Sequence, residues 1–369
     1  MSEKLINQTA DLHGGNIYKA SKQYGISEEA FLDYSANINP LGVPEELKET
    51  ILRSIELLSN YPDPECHLLR RHISEYLNIN PDEIIIGNGA AEIIFLLLEE
   101  LKPKKVIIPS PTFMEYERAA KKVGAEARHH EIKESAGFRL EVNELINHID
   151  DDTDCIILCN PNNPTSSLTN PDDLIKLIEF AYRKEITVII DETFIELTVG
   201  GNTNSMVKHL NEWSNLIIIR AFTKLFAIPG LRVGYGLGNK ELIKRLWDRK
   251  IPWSVNCFAS ISGMLLKNET GYFDRTATWI SEEIEQFYNE LCKVDKFHVF
   301  KPHTNFVLMR IKGISFNSHT LKEALASKGV LIRDASNFRF LNDKFIRVAI
   351  KDRNSNDRFM EILDDVLKG

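Results

Sequence analysis

Five short runs along the chain are apolar through their middles rather than at alternate positions. They are Glu83-Ile-Ile-Ile-Gly87, Lys105-Val-Ile-Ile-Pro109, Cys155-Ile-Ile-Leu-Cys159, Thr187-Val-Ile-Ile-Asp191 and Asn215-Leu-Ile-Ile-Ile-Arg220. A strand covered on one face alternates and a strand covered on both does not, so these runs read as buried parallel strands. Amphipathic stretches at 91–101, 116–123 and 171–184 fall between them and predict helices. The alternation from about residue 83 to 250 predicts an α/β domain with a mainly parallel sheet. After Asn256 the pattern changes. A long helical connection is expected to about Lys296, then strand-like runs at 305–310, 330–333 and 344–350, with helices at 318–328 and 356–367. That is the pattern of a smaller α+β domain. The first 45 residues carry turn formers (His13-Gly-Gly-Asn16, Asn37-Ile-Asn-Pro-Leu-Gly42) and read as an arm. The expected division is 1–45 as N-terminal arm and part of the small domain, 46–255 as the large domain, and 256–369 as connecting helix and C-terminal small domain.

The length of 369 residues leaves ample room for such a core. A net charge of −8 argues against a nucleic-acid partner, which would need a basic face. The N-terminus has no apolar core and no run of 18 apolar residues occurs, so neither secretion nor membrane spanning is expected. The five cysteines are odd in number and match no zinc spacing; Cys155 and Cys159 read as buried thiols. No metal site is expected, and the cytoplasm is the expected location.

Ligands of open α/β sheets sit beyond the carboxyl ends of the strands. The segments placed there are Asn88-Gly-Ala-Ala-Glu92, Ser110-Pro-Thr-Phe113, Asn160-Pro-Asn-Asn-Pro-Thr165, Asp191-Glu-Thr-Phe194 and Ala221-Phe-Thr-Lys224. They bring a glycine loop, an aromatic, an amide, a carboxylate and a lysine to one edge. Taken alone, a lysine after a strand is a solvated charge, and Asp191 could cap the next helix.

The order of these segments, followed by Gly230-Leu-Arg232, resembles the fold-type I pyridoxal-phosphate enzymes, the class I/II aminotransferase family, over essentially the whole chain. The resemblance implies a PLP-dependent transferase fold of a large and a small domain, with pyridoxal 5'-phosphate as cofactor. It makes Lys224 the Schiff-base lysine and Asp191 the partner of the pyridine nitrogen. It puts Phe113 on the ring face and the Asn163 amide on the phenolic oxygen. The phosphate would meet the backbone at Gly89, Ala90 and Ala91, the Thr223 hydroxyl and the Arg232 guanidinium. Tyr61 would reach the phosphate in a neighbouring subunit, implying a homodimer with shared active sites. Four departures stand out. Ser166 replaces a usual Gly, Phe194 lacks a usual Tyr hydroxyl, Ala221 replaces a usual Ser or Thr, and Ala90 and Ala91 bring methyl groups to the phosphate cup.

Arg347 sits inside the apolar run 344–350, where a buried arginine needs a partner; in the family this position binds the substrate α-carboxylate. Arg333 adds a second cation, so a small phosphorylated amino acid is the implied substrate. Leu12-His-Gly-Gly-Asn16, Asp33-Tyr-Ser-Ala-Asn-Ile-Asn-Pro-Leu-Gly42 and Ile251-Pro-Trp-Ser-Val-Asn256 look like the threonine-phosphate decarboxylase branch, a lyase of cobalamin biosynthesis. In that branch, as in the histidinol-phosphate aminotransferases, Arg333 would grip the substrate phosphate, with His13 and Asn37 as further substrate-binding candidates. The histidinol-phosphate aminotransferases are its near relatives, and L-serine O-phosphate is an alternative substrate. A non-catalytic regulator would need a basic DNA-binding module, for which the chain has neither length nor charge.

Overall fold

The computed structural model describes residues 14–368 apart from Glu269 and Ile314. Its strands in chain order are β1 (Leu32–Asp33), β2 (Ile84–Gly87), β3 (Lys105–Ser110), β4 (Glu126–Glu131), β5 (Cys155–Cys159), β6 (Thr187–Asp191), β7 (Leu216–Ala221) and β8 (Gly234–Leu237). β9 (Phe297–Val299), β10 (Phe306–Ile311), β11 (Val330–Leu331), β12 (Arg333–Asp334) and β13 (Phe345–Ala349) follow. A seven-stranded sheet has the order β2-β8-β7-β6-β5-β3-β4. All five apolar runs lie in it, buried as the absence of alternation predicts.

Two strands of this sheet have no apolar signature. β4 is Glu-Ala-Arg-His-His-Glu on the sheet edge, where polar side chains meet solvent. β8 is Gly-Tyr-Gly-Leu, and it runs antiparallel to both β2 and β7. The reading of β2 as a parallel-paired strand is corrected on this point. It points the same way as β7, but its only bonded neighbour is the reversed β8. Close packing explains the glycines of β8. A Cβ on Gly234 would lie 2.4 Å from Ala90 N, and one on Gly236 2.9 Å from the Ile85 side chain.

Helices cover both faces of the sheet, with the larger apolar core on one side and a smaller one on the other. The long connection is a succession of short turns, Cys257–Ile261, Ser262–Met264 and Leu265–Asn268, ahead of the helix Thr270–Cys292. Beyond it β12-β13-β10-β9 form an antiparallel sheet. The run 330–333, expected as one strand, splits between two sheets. β11 pairs in parallel with β1, which ties the N-terminal region to the C-terminal one, while β12 pairs with β13. No described helix is long and apolar enough to cross a membrane.

Candidate active site

Because β2, β3, β5, β6 and β7 point the same way, the segments after them meet at one edge. There they surround a cavity of about 520 Å³, whose wall includes Ala90, Ala91, Phe113, Asn163, Asp191, Thr223, Lys224 and Arg232. The C-terminal sheet contributes Arg333 and Arg347, and the N-terminal region contributes Gly14, Ser35 and Asn37. Of the residues singled out in the sequence, Tyr61 lies elsewhere and His13 lies outside the described residues.

At one end of the cavity the chain turns from β2 through Gly89 (φ 82°) into the helix Ala90–Leu101, whose first N–H groups have no side-chain cap. A Cβ on Gly89 would lie 2.5 Å from Arg232 Nη2. The bare glycine thus lets a guanidinium approach a helix N-terminus, two cationic groups that an anion would reconcile. The loop is braced from behind. Glu92 Oε2 accepts from Asn88 N at 2.5 Å and from Ser254 Oγ at 3.1 Å, and Ser254 Oγ accepts from Lys250 Nζ. Ser254 belongs to the Pro-Trp-Ser segment noted in the sequence.

Asp191, at the end of β6, is buried. Its Oδ1 accepts from Thr193 N at 2.9 Å and Oγ1 at 2.5 Å, and its Oδ2 accepts from the Tyr116 hydroxyl at 2.8 Å. Burial raises its pKa, the three donors oppose that, and no cation pairs with it among the described residues. A cation brought into the cavity beside this carboxylate would offset the cost of burying its charge. Phe113 stands edge-on to Tyr116, ring centroids 5.6 Å apart.

Lys224, on the short helix Phe222–Leu225, lines the same cavity as Asp191, and its Nζ makes no hydrogen bond among the described residues. Burial, then the charges of Arg347 and Arg232, bring its amine down to about 8. At pH 7 about a tenth of such an amine is neutral and nucleophilic, against less than about a thousandth of an ordinary lysine.

The two arginines stand directly opposite each other on adjacent strands, Arg333 on β12 against Arg347 on β13. Both are buried. Arg347 donates to Asn163 Oδ1 at 2.5 Å and to Ser35 O at 2.7 Å, while its buried Nε finds no acceptor. Burial and the neighbouring Arg333 lower its pKa to about 9. Arg333 donates to Asn337 Oδ1 at 2.8 Å and lies over the Phe338 ring. Since Asn163 Oδ1 is taken by Arg347, its amide nitrogen is the end left to donate into the cavity. Asn37 Oδ1 is likewise buried without a partner among the described residues.

The N-terminal segments shape this side. Gly14 packs against Ser35 so closely that a Cβ would lie 2.2 Å from Ser35 O, and Gly15 N donates to Ser35 Oγ at 2.7 Å. Tyr61 is 81% exposed, and its ring lies tilted against that of Trp253, centroids 4.9 Å apart. Sequence reasoning missed Tyr116, Thr193, Ser35 and Phe338. Thr193, two residues past Asp191, was within reach of turn rules; the others act across long sequence separations.

The cavity fits the cofactor that the sequence implies. Gly89, the uncapped helix start after it and Arg232 offer donors and a cation to a phosphate, and Asp191 offers a buried carboxylate to a protonated ring nitrogen.

The family model for aminotransferase class I and II matches residues 29–363. A Caldanaerobacter subterraneus protein that carries the provisional name threonine-phosphate decarboxylase is 40% identical, over 95% of this chain and 92% of its own. The threonine-phosphate decarboxylase of Salmonella typhimurium is 32% identical, over 97% of each. The crystal structure of a histidinol-phosphate aminotransferase from Clostridium acetobutylicum superposes with a TM-score of 0.84 at 38% identity, over 91% of this chain and 98% of that one.

Proposed function

The chain belongs to the aminotransferase class I and II family, and from that premise we propose that it decarboxylates L-threonine O-3-phosphate. The product is (R)-1-amino-2-propanol O-2-phosphate, the reaction is a step of cobalamin biosynthesis, and the cofactor is pyridoxal 5'-phosphate. The observation that carries this reading is the cross-strand pair of buried arginines, Arg333 and Arg347. Directly opposed residues on antiparallel strands have Cα atoms about 5 Å apart, and like charges so placed repel. A compact dianion relieves that repulsion. Threonine phosphate carries its carboxylate and phosphate on adjacent carbons, which suits one arginine each. Histidinol phosphate has a phosphate but no carboxylate, so it leaves one arginine without an anion, although the dicarboxylate 2-oxoglutarate of a transaminase would occupy both.

In this reading Lys224 holds the cofactor covalently through its amine, and Asp191 keeps the ring nitrogen protonated. Phe113 would stack on the ring, and the Asn163 amide would donate to its phenolic oxygen; both line the cavity. Ala90, Ala91, Thr223 and Arg232 hold the phosphate. When bound, the cofactor accepts the electron pair left on Cα as a bond to that carbon breaks. Arg347 binds the α-carboxylate, Arg333 the substrate phosphate, and Asn37 and His13 lie alongside. Displaced by the substrate amine, Lys224 in its ammonium form would supply the proton that takes the place of the carboxylate on Cα. Because Arg347 also holds Asn163, carboxylate binding and cofactor orientation share one contact. The division at 45 and 255 belongs to the same reading, as does a homodimer in which Tyr61 serves the partner's site.

The similarity to the Clostridium acetobutylicum enzyme supports a second reading, transamination of histidinol phosphate. Two assays separate them. Threonine phosphate should yield carbon dioxide and the amino alcohol phosphate; L-serine O-phosphate should react less well, since one methyl changes binding by about 1–3 kcal/mol. Glutamate formation from histidinol phosphate and 2-oxoglutarate, without carbon dioxide from threonine phosphate, would overturn the decarboxylase.

A further inference from the structure

Arg333 is supported by the chain that follows it. Asn337 accepts from its Nη2, and the Phe338 ring lies 5.1 Å beneath its guanidinium. The next residue, Arg339, reaches to the large sheet's side of the molecule. Its Nη2 donates to Glu117 Oε1 at 2.9 Å. Glu117 stands on the helix Glu115–Lys122, which begins next to Phe113 and carries Tyr116. The same carboxylate pairs with Lys121 at 2.6 Å and faces His129 Nε2 at 3.5 Å. His129 Nδ1 is 2.8 Å from Ser110 Oγ at the end of β3. A polar chain therefore runs from β3 through β4 and the helix to the loop that supports Arg333.

Packing does not fix this loop throughout. Phe338 is set in an apolar cluster with Phe138, Phe300 and Phe345. Beside Asn337 and Arg339, however, a cavity of about 240 Å³ separates the loop from Ser110, Phe113 and His129. There the polar contacts set the distance between the loop and the cofactor side of the site.

We propose that Glu117 is a positioning residue for substrate phosphate: by holding Arg339 it fixes Asn337, and through Asn337 the guanidinium of Arg333. The inference rests on the assignment of Arg333 to the phosphate made above. It predicts selectivity rather than catalytic power, because Glu117 touches neither the cofactor wall at Lys224 nor Arg347.

The test uses holoenzyme with Glu117→Gln, Arg339→Met, Glu117→Asp and, as reference, Arg333→Met. Binding of L-threonine O-phosphate and of unphosphorylated L-threonine is followed through the visible spectrum of the bound cofactor, alongside KM and kcat. A partly exposed ion pair is modest, so Glu117→Gln and Arg339→Met should each weaken phosphothreonine binding roughly three- to fivefold. L-Threonine binding should hold steady, kcat should change less than KM, and Glu117→Asp should recover part of the loss. The double variant should be little worse than either single one. Equal weakening of both ligands would mark general damage and overturn the proposal. So would a wild-type response in Glu117→Gln when Arg333→Met has lost its preference for the phosphorylated ligand. If Arg333→Met itself keeps that preference, the phosphate assignment falls and this inference with it.

Discussion

Lys224 joins a charge that is ordinary on a protein surface to a setting that removes it. Burial comes first among the causes, followed by repulsion from Arg347 and Arg232, and the amine is brought down to about 8. The sign follows directly. Lowering a lysine pKa makes the neutral amine available at lower pH than in free lysine, and only the neutral amine can attack an aldehyde. Capture of pyridoxal phosphate by the cofactor-free protein should therefore accelerate about tenfold per pH unit up to about 8 and level off above it. Stopped-flow absorbance of the bound cofactor between pH 6 and 10.5 measures this. A rate still climbing at pH 10 would show that the cavity does not depress the amine. In Arg232→Met one repelling cation is gone, so the levelling point should move upward in pH. Asp191 shows the complementary logic. Burial pushes its carboxyl up while Thr193 and Tyr116 hold it back, and a cation brought by the cofactor would complete the balance.

At the scale of elements, the approach of β8 to the helix Ala90–Leu101 decides the shape of the phosphate end. Gly234 lets the backbone at Ala90 come within a distance no side chain allows, since its Cβ would lie 2.4 Å from Ala90 N. That contact is backbone against backbone, so neither partner can rotate away. Gly234→Ala should cost about 1–3 kcal/mol of stability in denaturant unfolding and loosen cofactor binding more than a remote substitution of equal cost. Equal cofactor affinity in the variant would count against this role for β8. The same strand shows what the sequence could and could not reveal. β5 and β6 begin and end where the apolar runs do, because strands covered on both faces leave an unbroken apolar signature. β8 is half glycine for packing reasons and β4 is polar because it lies on an edge, so neither carries that signature. The site was legible where chemistry follows a strand directly, as with Asp191 and Lys224. It was not legible where contacts join distant parts of the chain. Tyr116 to Asp191, Arg347 to Asn163 and Arg339 to Glu117 depend on how helices and the second sheet are laid down.

At the scale of the whole molecule, large apolar side chains stand exposed in two segments that the Tyr61–Trp253 contact brings together. Leu52, Leu58 and Ile251 are 74%, 64% and 72% exposed, and the tilted rings of Tyr61 and Trp253 meet at the surface. Apolar side chains grouped in this way mark an interaction surface. Tyr61 also lines no wall of its own chain's cavity, so any contact it makes with cofactor phosphate must be in another subunit. In a twofold dimer each cavity would then use Lys224 from one chain and Tyr61 from the other. Complementation tests this. Lys224→Ala chains lack the amine but keep the tyrosine; Tyr61→Ala chains do the reverse. Each pure variant should be weak or inactive. When equal amounts are unfolded together and refolded, half the dimers are mixed, and each mixed dimer has one site with both groups intact. Activity should recover to about one quarter of the wild-type value. If Tyr61 served its own chain's cavity, the mixed dimer would contain no complete site. Activity would then stay at the average of the two variants, and shared active sites would be excluded.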